Sequence, residues 1–107
     1  MRIIARHILR EFVESLSGRK DQQAVKAALD VWFDEVSKAV WTNSADLKRL
    51  YAPASIVSAE RIVFNIKGND YRLVVSVDFE KSIVWIKWIG THEAYDRIDM
   101  TEVKHGE

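Results

Sequence analysis

Apolar positions recur along the chain in two different periods, and the change of period divides it in two. Ile8, Leu9, Phe12, Val13 and Leu16 follow three- and four-residue steps, which puts them on one face of an amphipathic helix that Ser17-Gly18 would end. A second stripe of Val25, Ala28, Leu29, Trp32, Phe33 and Val36 predicts a helix from Asp21, its expected N-cap, to about Lys38. Trp41-Thr42-Asn43-Ser44 reads as a break, with Asn43 or Ser44 capping a short turn through Leu50, and Pro53 marks the next loop. Ahead of all this, Arg2-Ile3-Ile4-Ala5 has the make-up of a short strand.

After Ser55 the period falls to two, and the residues become β-branched and aromatic. Arg61–Lys67 and Tyr71–Asp78 alternate around Gly68-Asn69, a two-residue turn that closes a hairpin. With that turn, Ile66 faces Tyr71, Phe64 faces Leu73 and Ile62 faces Val75, while Asn65 meets Arg72 on the other side. A further turn at Glu80-Lys81 leads into Ile83–Ile89, pairing Val77 with Val84, Val75 with Ile86 and Leu73 with Trp88. Lys87 then falls beside Val74, diagonal to Arg72. The expected fold class is α+β: two N-terminal helices on a small antiparallel sheet, a short C-terminal helix, and one domain over residues 1–107.

That register leaves Arg61, Asn65, Lys67, Arg72, Ser76 and Lys87 on the sheet face away from the helices. The strip is a candidate RNA surface, and equally the solvated outer face that a half-buried antiparallel sheet always has. Charge sharpens the choice. Sixteen Lys and Arg balance sixteen Asp and Glu over 107 residues, so a free-standing, electrostatically driven RNA binder is disfavoured and any RNA contact has to come from local clusters. The front of the chain is slightly basic, with Arg2, Arg6, Arg10, Arg19 and Lys20 against Glu11 and Glu14. Cysteine is absent, which excludes thiolate chemistry and suits a reducing compartment. With no apolar run of membrane-spanning length and no signal-like start, a cytoplasmic protein without membrane contact is expected.

Two segments carry a resemblance. Val63-Phe64-Asn65-Ile66-Lys67-Gly68-Asn69-Asp70-Tyr71-Arg72-Leu73-Val74-Val75 and Gly90-Thr91-His92-Glu93-Ala94-Tyr95-Asp96-Arg97-Ile98-Asp99 resemble the VFNIxGNxYRLVV and GTHxxYDxID signatures of HigB toxins, within the wider RelE/ParE superfamily. Trp32–Val36 and Pro53-Ala54-Ser55 extend the similarity. The resemblance implies a toxin that cleaves translated mRNA in the ribosomal A site without a cofactor or metal. It also implies a HigA-type helix-turn-helix antitoxin as partner, through which alone operator DNA would be met.

Metal-free RNA cleavage needs a base for the 2′-hydroxyl, cations for the pentacoordinate phosphate and an acid for the leaving 5′-oxygen. Arg72 suits the phosphate, since a guanidinium can give two hydrogen bonds to its oxygens; Lys87 adds charge. His92 is the proton-transfer candidate because of its residue type, with Thr91 as the cap of its helix; it is otherwise a packing residue. Tyr95, three residues on, stacks on a base, assists proton transfer or simply packs. Lys67, Asn69, Asn65 and Arg61 are the expected flanking RNA contacts. Asp96 is a possible partner for His92, and His7 and His105 read as surface residues. Two other readings remain: a ParE-like, non-enzymatic inhibitor of DNA gyrase, and a regulatory domain that keeps only the fold. Trp41, Tyr51 and the apolar face of the first helix are candidate antitoxin contacts, or equally core.

Overall fold

The computed structural model describes residues 1–50, 54–58 and 60–98. Within them the chain runs β1 (Arg2–Ile4), α1 (Arg6–Ser15), α2 (Gln22–Lys38), α3 (Ser44–Leu50), β2 (Ser55–Ile56), β3 (Arg61–Ile66), β4 (Tyr71–Asp78), β5 (Ile83–Thr91) and α4 (His92–Asp96). The fold is α+β, as the two periods require. Pro53, Tyr51 and His105 lie outside the described residues, as does the tail after Met100, which the sequence suggests is loosely ordered.

The central hairpin has the register that alternation predicts: Ile66 opposite Tyr71, Asn65 opposite Arg72, Phe64 opposite Leu73 and Ile62 opposite Val75. The turn itself differs in detail. Left-handed backbone falls on Lys67 (φ 52) and Gly68 (φ 64), not on Gly68 and Asn69, and the Asp70 N–H closes the turn on the Lys67 carbonyl at 3.2 Å. Glycine tolerates that region at no steric cost; Lys67 is instead held by its ammonium, which donates to the Asp70 carboxylate at 2.9 Å.

In the second hairpin Val77 meets Val84 and Val75 meets Ile86, but a bulge at Lys87 then shifts the register. Val74 faces Trp88, and Leu73 faces Ile89 rather than the expected Trp88. Lys87 is the extra residue and has no direct partner, so it lies between the levels of Val75 and Val74 rather than squarely opposite Val74 as the unbulged register requires. One extra residue swaps the faces of everything beyond it: Ile89 joins the core and Trp88 turns to the opposite side. The sheet also has more strands than alternation suggests. Its order is β1-β5-β4-β3-β2, with β1 parallel to β5 and the Arg2 N–H bonded to the Ser82 carbonyl at 2.8 Å.

The core lies between the helices and one sheet face. Leu9 and Leu16 of the first helical segment and Val25, Leu29, Trp32 and Val36 of α2 meet Ile62, Phe64, Leu73, Val75, Val84 and Ile86. Trp32 packs edge-on to Phe64, with centroids 5.5 Å apart, and Phe12 edge-on to Tyr71 at 5.7 Å. Of the two readings of Trp41, partner contact or core residue, burial selects the second, and Leu47 of α3 is fully enclosed in the same core. Asn43 caps α3, its Oδ1 accepting from the Asp46 N–H at 3.0 Å.

Asp21 occupies the N-cap position of α2 but caps nothing with its side chain. Its carboxylate instead accepts from the Tyr71 hydroxyl and, at 3.3 Å, from Arg19 Nε. The consequence is a tie between the start of α2 and the first residue of β4.

Candidate functional site

Alternation assigns the outer sheet face three rows of side chains crossing β3, β4 and β5. The first is Asn65, Arg72 and Gly90; the second is Val63, Val74 and Trp88; the third is Arg61, Ser76 and Trp85. The middle row is apolar and covered: Val63 and Val74 are buried, with Trp88, Tyr95 and Ile98 packed against them. The cationic strip read from the sequence is therefore not continuous. An apolar ridge topped by residues of α4 separates Arg72 from Arg61.

Much of the Gly-Thr-His segment builds that ridge and the end of β5. A Cβ on Gly90 would come within 2.6 Å of Trp88 Cη2 and 2.7 Å of Cζ2, so the indole lies over the one position in its strand that has no side chain. Thr91 caps α4 as expected, its hydroxyl oxygen accepting from the Ala94 N–H at 3.1 Å. Tyr95 faces the Trp88 ring with centroids 6.4 Å apart. Packing against the sheet, one of the three roles open to Tyr95, is thus realised.

The first row converges on the β3–β4 turn. Arg72 Nη1 donates to the Asn69 carbonyl at 2.7 Å and to the Tyr71 carbonyl at 3.2 Å, while the His92 N–H takes the intervening Asp70 carbonyl at 3.0 Å. Three successive carbonyls thus fix the guanidinium and the first residue of α4 to one turn. Among the described residues Arg72 Nε and Nη2 have no partner, so one edge of the planar fork is held and the other is open. Asn65 stands opposite Arg72. The imidazole of His92 is partly exposed, and its Nε2 lies 3.3 Å from Glu93 Oε1. Glu93, not Asp96, is the carboxylate that reaches it.

Arg72, His92, Asn65, Asn69 and Lys67 are therefore brought to one end of the sheet. Lys87 and Arg61 are not. Lys87 lies three residues along β5 from Gly90, about 10 Å, and Arg61 is four residues along β3 from Asn65. Lys67 is occupied by Asp70, whose carboxylate raises the lysine pKa.

One group beneath this site goes unnoticed in the sequence. Tyr71, buried next to Arg72, is pushed up in pKa first by burial and then by the Asp21 carboxylate that accepts its hydroxyl proton. Asp21 is correspondingly lowered, first by that hydroxyl and then by Arg19. The signal was present only as an acid and a tyrosine fifty residues apart, too distant for any local spacing to join. Among the described residues no three His, Cys, Asp or Glu side chains are grouped so as to hold a metal ion, and no helix is long and apolar enough to cross a membrane.

A family model described as HigB_toxin, RelE-like toxic component of a toxin-antitoxin system, matches residues 25–98, about two thirds of the chain. The matched span contains Arg72, His92 and the turn that holds them. No curated protein matches.

Proposed function

The chain belongs to the HigB toxin family, RelE-like toxic components of toxin–antitoxin systems, and from that premise we propose that it is a ribosome-dependent endoribonuclease cutting translated mRNA without a metal. The family implies an antitoxin partner; a HigA-type helix-turn-helix protein is the proposed one.

The observation that carries this reading is the half-engaged guanidinium of Arg72 anchored to the same three-carbonyl segment as His92. In the proposed reaction the 2′-oxygen bonds to phosphorus as the bond to the 5′-oxygen breaks, giving a cyclic phosphate and a free 5′-hydroxyl. Negative charge grows on the non-bridging oxygens, where Nε and Nη2 of Arg72 supply two aligned donors that need no rearrangement. His92 serves one of the two proton transfers, at the 2′-hydroxyl or at the leaving oxygen. Tyr95 positions the edge of α4 through Trp88, and Asn65 and Asn69 contact the flanking strand.

Zero net charge fits this division of labour. The ribosome holds the message, and the toxin needs only a few local cations to act on it. Purified protein stripped of metal with EDTA and then freed of the chelator should still cut the message on programmed ribosomes, whose own Mg2+ is left in place. Loss of cleavage by the stripped protein, restored only by preloading it with a transition-metal ion, would replace the metal-free reading by a metal-assisted one.

A further inference from the structure

The third row of the outer face, on the far side of α4 from Arg72, is unused by the proposed reaction. Arg61, Ser76, Trp85 and Ile4 are successive cross-strand neighbours there. Trp85 is half-buried, yet it packs into neither apolar cluster and makes no ring contact among the described residues. Every other tryptophan does one or both: Trp32 and Trp41 fill the core and Trp88 supports Tyr95.

Cations stand on this indole's own strand and on strands to either side. Arg61 lies two strands away, about 10 Å, and its Nη1 is buried without a hydrogen-bond partner. Arg2, on the same side of β1 as Ile4 by alternation, and Lys87, at the bulge two residues beyond Trp85, form no ion pair among the described residues. The one acid of β4 on this face, Asp78, is engaged by the Lys81 N–H at 3.0 Å. A half-buried indole with cations on its own strand and on strands to either side matches an unpaired base flanked by phosphates.

We propose that Trp85, with Arg61, Lys87 and Arg2, forms a second contact for single-stranded RNA, a base stacking on the indole and the cations holding adjacent phosphates. It rests on the reading of the chain as acting on RNA. It also moves Lys87 from the cleavage step to strand binding, and it lies about 13 Å along β4 from Arg72.

The test measures fluorescence anisotropy of a labelled single-stranded RNA oligomer, and separately binding to vacant ribosomes, for the wild type, Trp85→Ala, Trp85→Phe and Arg61→Gln. Circular dichroism confirms that each is folded. Trp85→Ala should weaken binding about tenfold or more while Trp85→Phe keeps most of it, and Arg61→Gln should lower affinity and flatten its salt dependence. A loss seen with the oligomer assigns the contact to the message; a loss seen only with ribosomes assigns it to ribosomal RNA. Equal affinities for wild type and Trp85→Ala in both arms would overturn the proposal. So would unchanged RNA binding together with lost antitoxin association, which would make the patch a protein contact. If the wild type binds RNA through Trp85 yet never cuts on ribosomes, the proposed function fails and this contact stands.

Discussion

Arg72 is held by one side of its guanidinium and, in the proposed reaction, acts through the other. Its Nη1 is committed to the carbonyls of Asn69 and Tyr71, which fixes the plane of the guanidinium, and that leaves Nε and Nη2 for an incoming phosphate. Lysine has no second edge to offer. Arg72→Ala should therefore lower the rate of ribosome-programmed cleavage by about two to three orders of magnitude, and Arg72→Lys should recover only a small part of it. Full activity in the lysine variant would show that charge alone suffices. Gly90 is a different kind of residue, required because the Trp88 indole occupies the space a Cβ needs. Gly90→Ala is expected to cost about 1–3 kcal/mol by forcing that ring aside. Thermal denaturation measures it, and an unchanged melting temperature would mean that the ring moves freely.

Elements set where these residues stand, and the legibility of each element followed from how local its determinants are. The β3–β4 register could be read because clean alternation and a short turn fix it within about twenty residues. The bulge at Lys87 could not. In Ile86-Lys87-Trp88-Ile89 either of the last two residues is apolar enough for the core, and only the packing of Trp88 under Tyr95 decides between them. The parallel pairing of β1 with β5 joins residues some eighty positions apart, beyond the reach of any pattern. Likewise Asp21 was legible as a helix start but not as the acceptor for Tyr71.

That last contact makes stability depend on pH in both directions. The Asp21 carboxyl is held below its ordinary value, so its contribution is complete above the unfolded value near about 4 and is lost as pH falls through the lower folded one. The Tyr71 hydroxyl is held above its ordinary value, so its contribution is present below about pH 10 and disappears as pH rises through the folded value. Melting temperatures followed across pH should fall on both sides, and Tyr71→Phe should be less stable at neutrality with shallower limbs. An unaltered profile in the variant would contradict the tie. At the other end of the site, Thr91→Ala removes the cap of α4 and should cost about 1 kcal/mol; cleavage should fall with it, and Thr91→Ser should restore both.

Across the whole molecule, helices and core occupy one side of the sheet while the proposed cleavage site lies on the other, which is divided by the apolar ridge of Val63, Val74 and Trp88. A groove of about 310 Å³ between α1 and α2, floored by Leu9, Val13, Leu29 and Phe33, opens on the helical side. The division explains why a cationic strip drawn from alternation alone was too simple. It put Asn65 and Arg72 side by side, as the strands pair them, and left out Trp85, which the same register places opposite Ser76. The α+β class and the Arg72–His92 end of the sheet were legible because strand period and motif agree there. The separation of Lys87 from that end was not, since it follows from a single inserted residue.

If this toxin arrests growth by cutting messages on the ribosome through Arg72, as proposed, the cut ends will be visible in the cell. Transcript 5′-ends are mapped after induction of wild type and of Arg72→Ala at matched soluble levels. New ends within translated regions, bearing 5′-hydroxyls, are expected in the wild type and none in the variant, with growth arrest only in the former. Arrest with intact transcripts, or the same new ends from Arg72→Ala, would contradict the proposal.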